Sequence, residues 1–337
     1  MSTIIQKDVY ALDLGNGYAK RKWGSKSFAV DPSVFAVPLD YFNTANEKII
    51  NVNDSRDIYI GHDALNSGHT IENAIGEEDI ERYSSQEFKD LLFGFIAKDC
   101  GTDTSIDVLV LGLPVKHFGN KREQLQKLGK GKKMVKVGQK DIVIDIKNCI
   151  AVPQPLGTYM YLEGLKKIDT AASQTLVIDG GSGTLDITEM RGREVISVDG
   201  SNLGMNMPNE QILDYLETQF NGIDITVNHI PDILENGLKF AGGVVKVSDM
   251  KPVIEILDKH FALVWKRIIQ KYKSFNKFDN VVWTGGMALA HKARIEGKKL
   301  PNFMVLEEGQ SANVNGYYDF GKGLVESGRN KGTVQSK

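Results

Sequence analysis

The chain has 337 residues, of which 25% are charged and 41% hydrophobic, and Lys+Arg 41 against Asp+Glu 43 leaves a net charge of −2. That is ordinary globular composition for about two domains or one large α/β unit, and it excludes a disordered chain and a globally cationic nucleic-acid coat. No run of 18 apolar residues could span a membrane, Met1–Asp8 has no apolar signal core, and Cys100 and Cys149 are too few for a disulfide scaffold, so the expectation is a cytoplasmic protein.

In chain order, the first informative segment is Val9-Tyr10-Ala11-Leu12-Asp13-Leu14-Gly15-Asn16-Gly17. An apolar run reaches an Asp and then a Gly-x-Gly turn. Alternation follows, with Tyr18, Lys20 and Lys22 on one side and Ala19, Arg21 and Trp23 on the other, which predicts a β-hairpin. Phe88, Leu91, Leu92, Phe95 and Ile96 fall at helical spacing, and Ser105–Pro114 reads as a buried strand. A second hairpin of the first kind lies at Leu176-Val177-Ile178-Asp179-Gly180-Gly181-Ser182-Gly183-Thr184-Leu185-Asp186. Asp13 pairs with Asp179, Gly15 with Gly181 and Gly17 with Gly183, at a constant offset of 166 residues. A half-chain repeat suggests two related lobes. Ile212, Leu213, Leu216 and Phe220 predict another helix, and Val253, Leu257, Phe261, Val264, Ile268 and Tyr272 a longer one after Pro252. Asn280–Thr284 is a strand running into Gly285-Gly286. Segments of about 36–85 and 205–275 read as insertions, and the polar tail from Arg329 as disordered. Strands mixed with helices on this scale give an α/β class.

A Gly-x-Gly turn lets backbone N–H groups approach an anion with no Cβ in the way, and a phosphate chain is the usual ligand of such a nest. An adjacent aspartate cannot bind phosphate directly, but it can hold Mg²⁺ or its waters, and Lys20 can add a point charge. Two such hairpins would grip a polyphosphate from opposite sides. Any one of them alone is an ordinary tight turn. Competing motifs are missing: there is no Gly-x4-Gly-Lys-Ser/Thr, no third glycine of a dinucleotide fingerprint after Gly15 and Gly17, and no His-Glu-x-x-His.

The set Leu12-Asp13-Leu14-Gly15-Asn16-Gly17, Ile178-Asp179-Gly180-Gly181-Ser182-Gly183-Thr184 and Trp283-Thr284-Gly285-Gly286 resembles the two phosphate loops and the adenosine loop of the actin, sugar-kinase and heat-shock chaperone ATPase superfamily. Within it the chain looks most like ParM-type bacterial actin-like proteins, the filament formers of plasmid segregation. Val152-Pro153-Gln154-Pro155-Leu156-Gly157, Gly200–Asn206 and Ala312–Tyr317 are similar to ParM segments. The resemblance implies two ribonuclease-H-like lobes of actin type with a nucleotide cleft between them. Lobe I would be 1–150, completed by about 312–330; lobe II would be 151–311; 331–337 would be tail. It implies ATP, or GTP, with Mg²⁺. Asp13 and Asp179 would hold the metal through water. Gly15, Asn16, Gly17 and Tyr18, and Gly181, Ser182, Gly183 and Thr184, would cradle phosphates with Lys20. Gly285, Gly286 and Met287 would lie against the nucleoside, and Gln154 would orient the attacking water, since an amide takes no proton at pH 7. Some ParM proteins carry Glu at that place.

The implied function is a nucleotide-dependent filament-forming ATPase that moves plasmid DNA through a DNA-bound adaptor. The alternative is a monomeric sugar or carboxylic-acid kinase of the same superfamily, for which no acceptor-site base is evident; a chaperone-like switch would need a peptide-binding domain. Residues 121–140 carry Lys121, Arg122, Lys127, Lys130, Lys132, Lys133, Lys136 and Lys140 with Glu123 the sole acid. This is a solvated face or a contact for a neighbouring subunit or adaptor. Direct DNA binding is disfavoured, because no DNA-reading helix pattern accompanies it. Glu77-Glu78-Asp79-Ile80-Glu81 is a candidate complementary surface.

Overall fold

A computed structural model describes residues 4–38, 48–73, 80–168 and 173–334. In chain order the elements are β1 (Ile5–Leu14), β2 (Tyr18–Lys22), β3 (Phe28–Pro32), β4 (Val34–Ala36), β5 (Ile50–Val52), β6 (Tyr59–Ile60), α1 (His62–Leu65), β7 (Ile71–Asn73), a 3-10 turn (Ile80–Ser84), α2 (Gln86–Cys100), β8 (Thr104–Leu113), α3 (Val115–Gly129), β9 (Gly131–Val137), β10 (Lys140–Pro153) and α4 (Gln154–Gly164). They continue as β11 (Gln174–Gly180), β12 (Leu185–Arg191), β13 (Glu194–Ser201), α5 (Asn206–Gln219), α6 (Ile230–Asn236), β14 (Leu238–Phe240), β15 (Gly243–Val245), α7 (Lys251–Lys271), β16 (Asn280–Thr284), α8 (Gly285–Ala290), α9 (Lys292–Glu296), β17 (Phe303–Val305) and α10 (Ala312–Val334).

The chain forms two compact units, Met1–Thr170 with Gln310–Lys337, and Ala171–Gly309. In unit 1 the main sheet runs β3-β2-β1-β8-β10-β9-β5; in unit 2 it runs β13-β12-β11-β16-β17. The first five strands of the one repeat the five of the other. An antiparallel meander (β3-β2-β1, β13-β12-β11) is followed by two parallel neighbours (β8 and β10, β16 and β17). The half-chain repeat of the sequence is therefore a repeat of topology. Parallel strands need both faces covered, and β1 accordingly buries Val9 through Leu14 without a break.

The predicted helices form as α2, α5 and α7. Ser85 caps α2 by accepting a hydrogen bond from the Phe88 N–H, and Gly101 ends it at φ 66, a left-handed conformation that glycine adopts freely. Val253, Leu257, Phe261, Val264 and Ile268 face the unit 2 core from α7. No described helix is long and apolar enough to cross a membrane.

Two boundaries differ from expectation. Helix α4 belongs to unit 1, so the division falls near residue 170 and not 150. The reason is its crossing with α10: a Cβ on Gly316 would overlap the Gly157 carbonyl oxygen, so the backbones touch. Across the contact, Thr158 donates to Asn313 Oδ1 from its backbone N (3.1 Å) and from Oγ1 (2.7 Å). The second difference is the tail. Helix α10 continues to Val334, through the start of the segment expected to be disordered. Arg329 Nη2 donates to Asp8 Oδ1 at 2.6 Å and ties that stretch to β1. Residues 335–337 lie outside the described part.

Candidate functional site: two equivalent glycine hairpins

Each predicted hairpin closes as expected, and they close alike. In unit 1 the β1–β2 register sets Asp13 opposite Lys20, and the Gly15 N–H donates to the Tyr18 carbonyl at 3.1 Å. In unit 2 the β11–β12 register sets Asp179 opposite Asp186, and the Gly181 N–H donates to the Thr184 carbonyl at 2.9 Å. Every one of these residues has its counterpart 166 positions away.

The turn carbonyls are tied back. Ser33 donates from Oγ to Gly15 O at 2.7 Å and from its backbone N to Gly17 O at 2.9 Å. In unit 2 the N–H groups of Gly204, Met205 and Asn206 donate to Gly183, Gly181 and Ser182 carbonyls. Gly204 sits so tightly on the turn that a Cβ there would overlap the Ser182 oxygen. Among the described residues, no backbone carbonyl accepts from the N–H groups of Asn16, Gly17, Ser182 or Gly183. A turn whose carbonyls are occupied and whose N–H groups are open is an anion nest.

Around the first nest the side chains are ordered by charge. Asp13 is buried, 2% exposed. Lys20 Nζ lies 3.6 Å from its Oδ2, and Gln154 Nε2 donates to its Oδ1 at 2.9 Å. A carboxylate only accepts, so this bond fixes the amide's orientation and leaves Gln154 Oε1 as an acceptor for the O–H of a water. Gln154 opens α4 between Pro153 and Pro155, two residues with restricted φ, and Tyr317 Oη of α10 reaches its carbonyl at 3.4 Å. On the core face of β2, Arg21 joins Asp31 (2.7 Å) and Asp99 (2.7 Å). Burial opposes ionisation of Asp31, but hydrogen bonds from His62 and Arg21 outweigh it and hold the carboxyl well below its ordinary range.

Three features were not foreseen. Asp186 stands directly across from Asp179, where unit 1 has Lys20, so the second hairpin carries two carboxylates; its signal was the common offset. Thr184 Oγ1 orients Asp186 through a 2.7 Å bond to Oδ2. Arg82 Nη1 donates to Asn16 Oδ1 at 2.6 Å, inside the first turn, and no local pattern marks it. Met287 departs from its expected role: its side chain is wholly buried under Gly180 in the unit 2 core and is not available to a ligand. Gly285 has φ 82, and any Cβ there would meet the Gly180 carbonyl and Asp179 Oδ1, which accounts for glycine at that place. Thr284 Oγ1 and Gly285 N both donate to Gly309 O, bracing this third loop.

Mg²⁺ keeps most of its waters and takes one or two protein carboxylates besides phosphate oxygens. Asp13 in unit 1, and separately the Asp179–Asp186 pair in unit 2, are carboxylates of the kind that ion takes. Among the described residues no three His, Cys, Asp or Glu side chains gather into a site that would hold a metal by protein alone.

A buried histidine pair braces the second hairpin from behind. His260 Nε2 donates to the Leu203 carbonyl at 3.3 Å, so its Nδ1 accepts from His291 Nε2 at 2.9 Å, and buried His291 Nδ1 has no partner. Burial lowers both pKa values; for His291, with His260 and Arg294 adding to the effect, to about 3. Both rings are neutral in the fold and charge readily in the unfolded chain. Their contribution is fully present above the unfolded value near 6.5 and is lost as pH falls below it. Unfolding midpoints in urea should therefore drop between pH 7 and pH 5, by roughly 1.4 kcal/mol of stability per pH unit for each histidine that stays neutral. Replacing both with phenylalanine should flatten the curve.

The basic stretch lies on α3 and β9. Arg122, Lys127, Lys130, Lys132, Lys136 and Lys140 are exposed, and none of Lys127, Lys130, Lys132, Lys133 and Lys136 forms an ion pair with a described residue. Glu77–Asp79 of the acidic stretch lie outside the described residues, as does the side chain of Glu81.

Residues 11–157 match the family of actin like proteins, N terminal domain. No curated protein sequence matches the chain significantly. Solved structures do. An archaeal actin homolog has a TM-score of 0.77 at 18% identity, covering 93% of this chain and 99% of that one. A 15-stranded ParM filament from Clostridium botulinum has 0.73 at 20%, covering 95% and 99%. ParM from Bacillus thuringiensis with ATP has 0.68 at 18%, covering 94% and 98%. The fold is that of the actin-like proteins. Residues 11–157 are similar to the actin-like N-terminal domain, and the chain as a whole shares the fold of the solved ParM structures.

Proposed function

We propose that this chain is a nucleoside triphosphatase that assembles into filaments under nucleotide control. The observation that carries the reading is the pair of equivalent nests, each with an aspartate at its root and open N–H groups at its tip. Polyphosphate with Mg²⁺ is the ligand class that this donor set fits. ATP is the natural first nucleotide, with GTP the alternative: the archaeal homolog was also solved in complex with ADP, and the Bacillus thuringiensis ParM with ATP.

In this mechanism the N–H groups of Asn16, Gly17, Ser182 and Gly183 and the Lys20 ammonium bind the phosphates. Asp13 on the first hairpin, and Asp179 with Asp186 on the second, would hold hydrated Mg²⁺, whose charge would offset that of the phosphates. Gln154, its donor end held by Asp13, accepts a hydrogen bond from the attacking water and orients it. Gly285 and Gly286 give the nucleoside a surface without side chains.

Assembly follows if nucleotide favours the subunit conformation that fits its neighbour. A contact between two different surfaces need not close into a ring, and repeating it makes an open filament. Lys127 of α3 and Lys132 and Lys136 of β9, which form no ion pair with a described residue, suit a neighbouring subunit or a DNA-bound adaptor, and plasmid segregation is the process this arrangement would serve. Sedimentation across a concentration series is the test. With Mg²⁺ and ATP or GTP the protein should pellet above a critical concentration and return to the supernatant as nucleotide is consumed. A protein that stays monomeric and phosphorylates a sugar or carboxylic acid would replace this reading with a kinase.

A further inference from the structure

Arg82 is buried, 6% exposed, in the 3-10 turn before α2. Its Nη1 donates to Asn16 Oδ1 at 2.6 Å and its Nη2 to Tyr83 Oη at 2.9 Å; its Nε is buried without a partner. Tyr83 Oη is in turn 2.9 Å from His117 Nδ1. Burial, with the charge of Arg82 adding to it, lowers the His117 pKa, so that ring is neutral and accepts the Tyr83 proton. Every described partner of the guanidinium is thus an uncharged group, and no described carboxylate pairs with it. The other buried arginine, Arg21, has two. A buried cation normally demands a counter-charge. Arg82 lies one hydrogen bond from the first phosphate nest. A guanidinium only donates, so it takes the acceptor end of the Asn16 amide and leaves Nδ2, a donor, as the free end in the turn.

We propose that Arg82 is a positioning residue for the polyphosphate, with the phosphate serving as a counter-charge to its guanidinium and Asn16 Nδ2 as the group that transmits the contact. This rests on the nucleotide reading of the hairpins. The role makes loop 1 sensitive to the charge of the phosphate chain, so a triphosphate gains more than a diphosphate. It also ties the 3-10 turn and α3, through Tyr83 and His117, to nucleotide state.

The experiment uses the full chain, with Arg82→Met, Arg82→Lys and Asn16→Ala. Melting is measured without nucleotide, and affinities for Mg-ATP and Mg-ADP are measured by titration. Arg82→Met should melt no lower than the parent without nucleotide, because a buried charge with no described carboxylate partner is removed while the Tyr83–His117 bond stays. Its ATP affinity should fall by roughly 10- to 100-fold, the range for one hydrogen bond to a charged group, and its ADP affinity by clearly less. Arg82→Lys should recover part of the loss, and Arg82→Met should add little to Asn16→Ala. Arg82→Met melting well below the parent without nucleotide would show a structural pillar and overturn the proposal. So would equal ATP and ADP affinities in parent and variant. A parent that binds neither ATP, GTP nor ADP overturns the nucleotide reading itself; a parent that binds them with an indifferent Arg82 overturns only this inference.

Discussion

Gln154→Ala should slow nucleotide hydrolysis by about 10²- to 10³-fold while leaving nucleotide affinity within a few fold. Losing one oriented polar group at a reacting centre has effects of that order on turnover. The separation of the two effects follows from geometry. Gln154 spends its donor end on Asp13 Oδ1 at 2.9 Å, so its Oε1 can only accept. An acceptor is poorly placed to bind an anionic phosphate, and it is well placed to take the O–H of a water. In the proposed mechanism its interaction would therefore belong to the transition state and not to the bound ground state. Single-turnover hydrolysis beside equilibrium titration checks this. Equal losses in both would make Gln154 a brace for Asp13 and nothing more. Gln154→Glu gives a second reading. It would set two carboxylates against each other at the Asp13 position, so that both cannot be ionised together. Nucleotide binding with Mg²⁺ should then depend on pH more steeply than the parent's does.

The hairpins were legible in the sequence because everything that makes them is local. Asp13, the two glycines and the alternation from Tyr18 to Trp23 lie within one short stretch, and the second copy lies at a fixed offset. The role proposed for Gln154 came only through resemblance; its anchor, Asp13, is 141 residues away. Arg82 was hidden for the same reason, since it meets Asn16 across 66 residues and sits in a turn with no periodic pattern. The unit boundary was misplaced because α4 is held by the α10 crossing, where Gly157 and Gly316 let two backbones touch. A glycine that permits a long-range contact reads in sequence like any other. The end of α10 was misread because the stretch from Arg329 is polar, with Gly332 and no apolar periodicity to mark a helix. Tertiary packing overrides that: Gly321 lies against Val9 and Val110, where any side chain would clash.

Asp13→Asn should abolish most Mg²⁺-dependent hydrolysis, and its effect on binding should change sign with the metal. Asparagine has nearly the shape of aspartate, and its Oδ1 can still accept from Gln154 Nε2, so the fold and the glutamine are kept and the charge is removed. With Mg²⁺ present, an anionic anchor for the hydrated metal is lost. Charge stabilisation of several kcal/mol corresponds to a drop in turnover of about 10²-fold or more. Without metal, the same aspartate is a buried anion beside a polyphosphate and opposes its binding. Asp13→Asn should therefore bind nucleotide more tightly than the parent in excess chelator and more weakly in excess Mg²⁺. Asp179→Asn should show the same crossing with a smaller amplitude, because Asp186 directly across the ladder keeps one carboxylate in the second hairpin. Titrations of ATP with chelator and with Mg²⁺, for the parent and both variants, measure the crossing directly. Loss of affinity in both conditions would mean that the carboxylates shape the loops and do not hold a metal. Unchanged hydrolysis with both aspartates replaced would remove the hairpins from the catalytic site altogether.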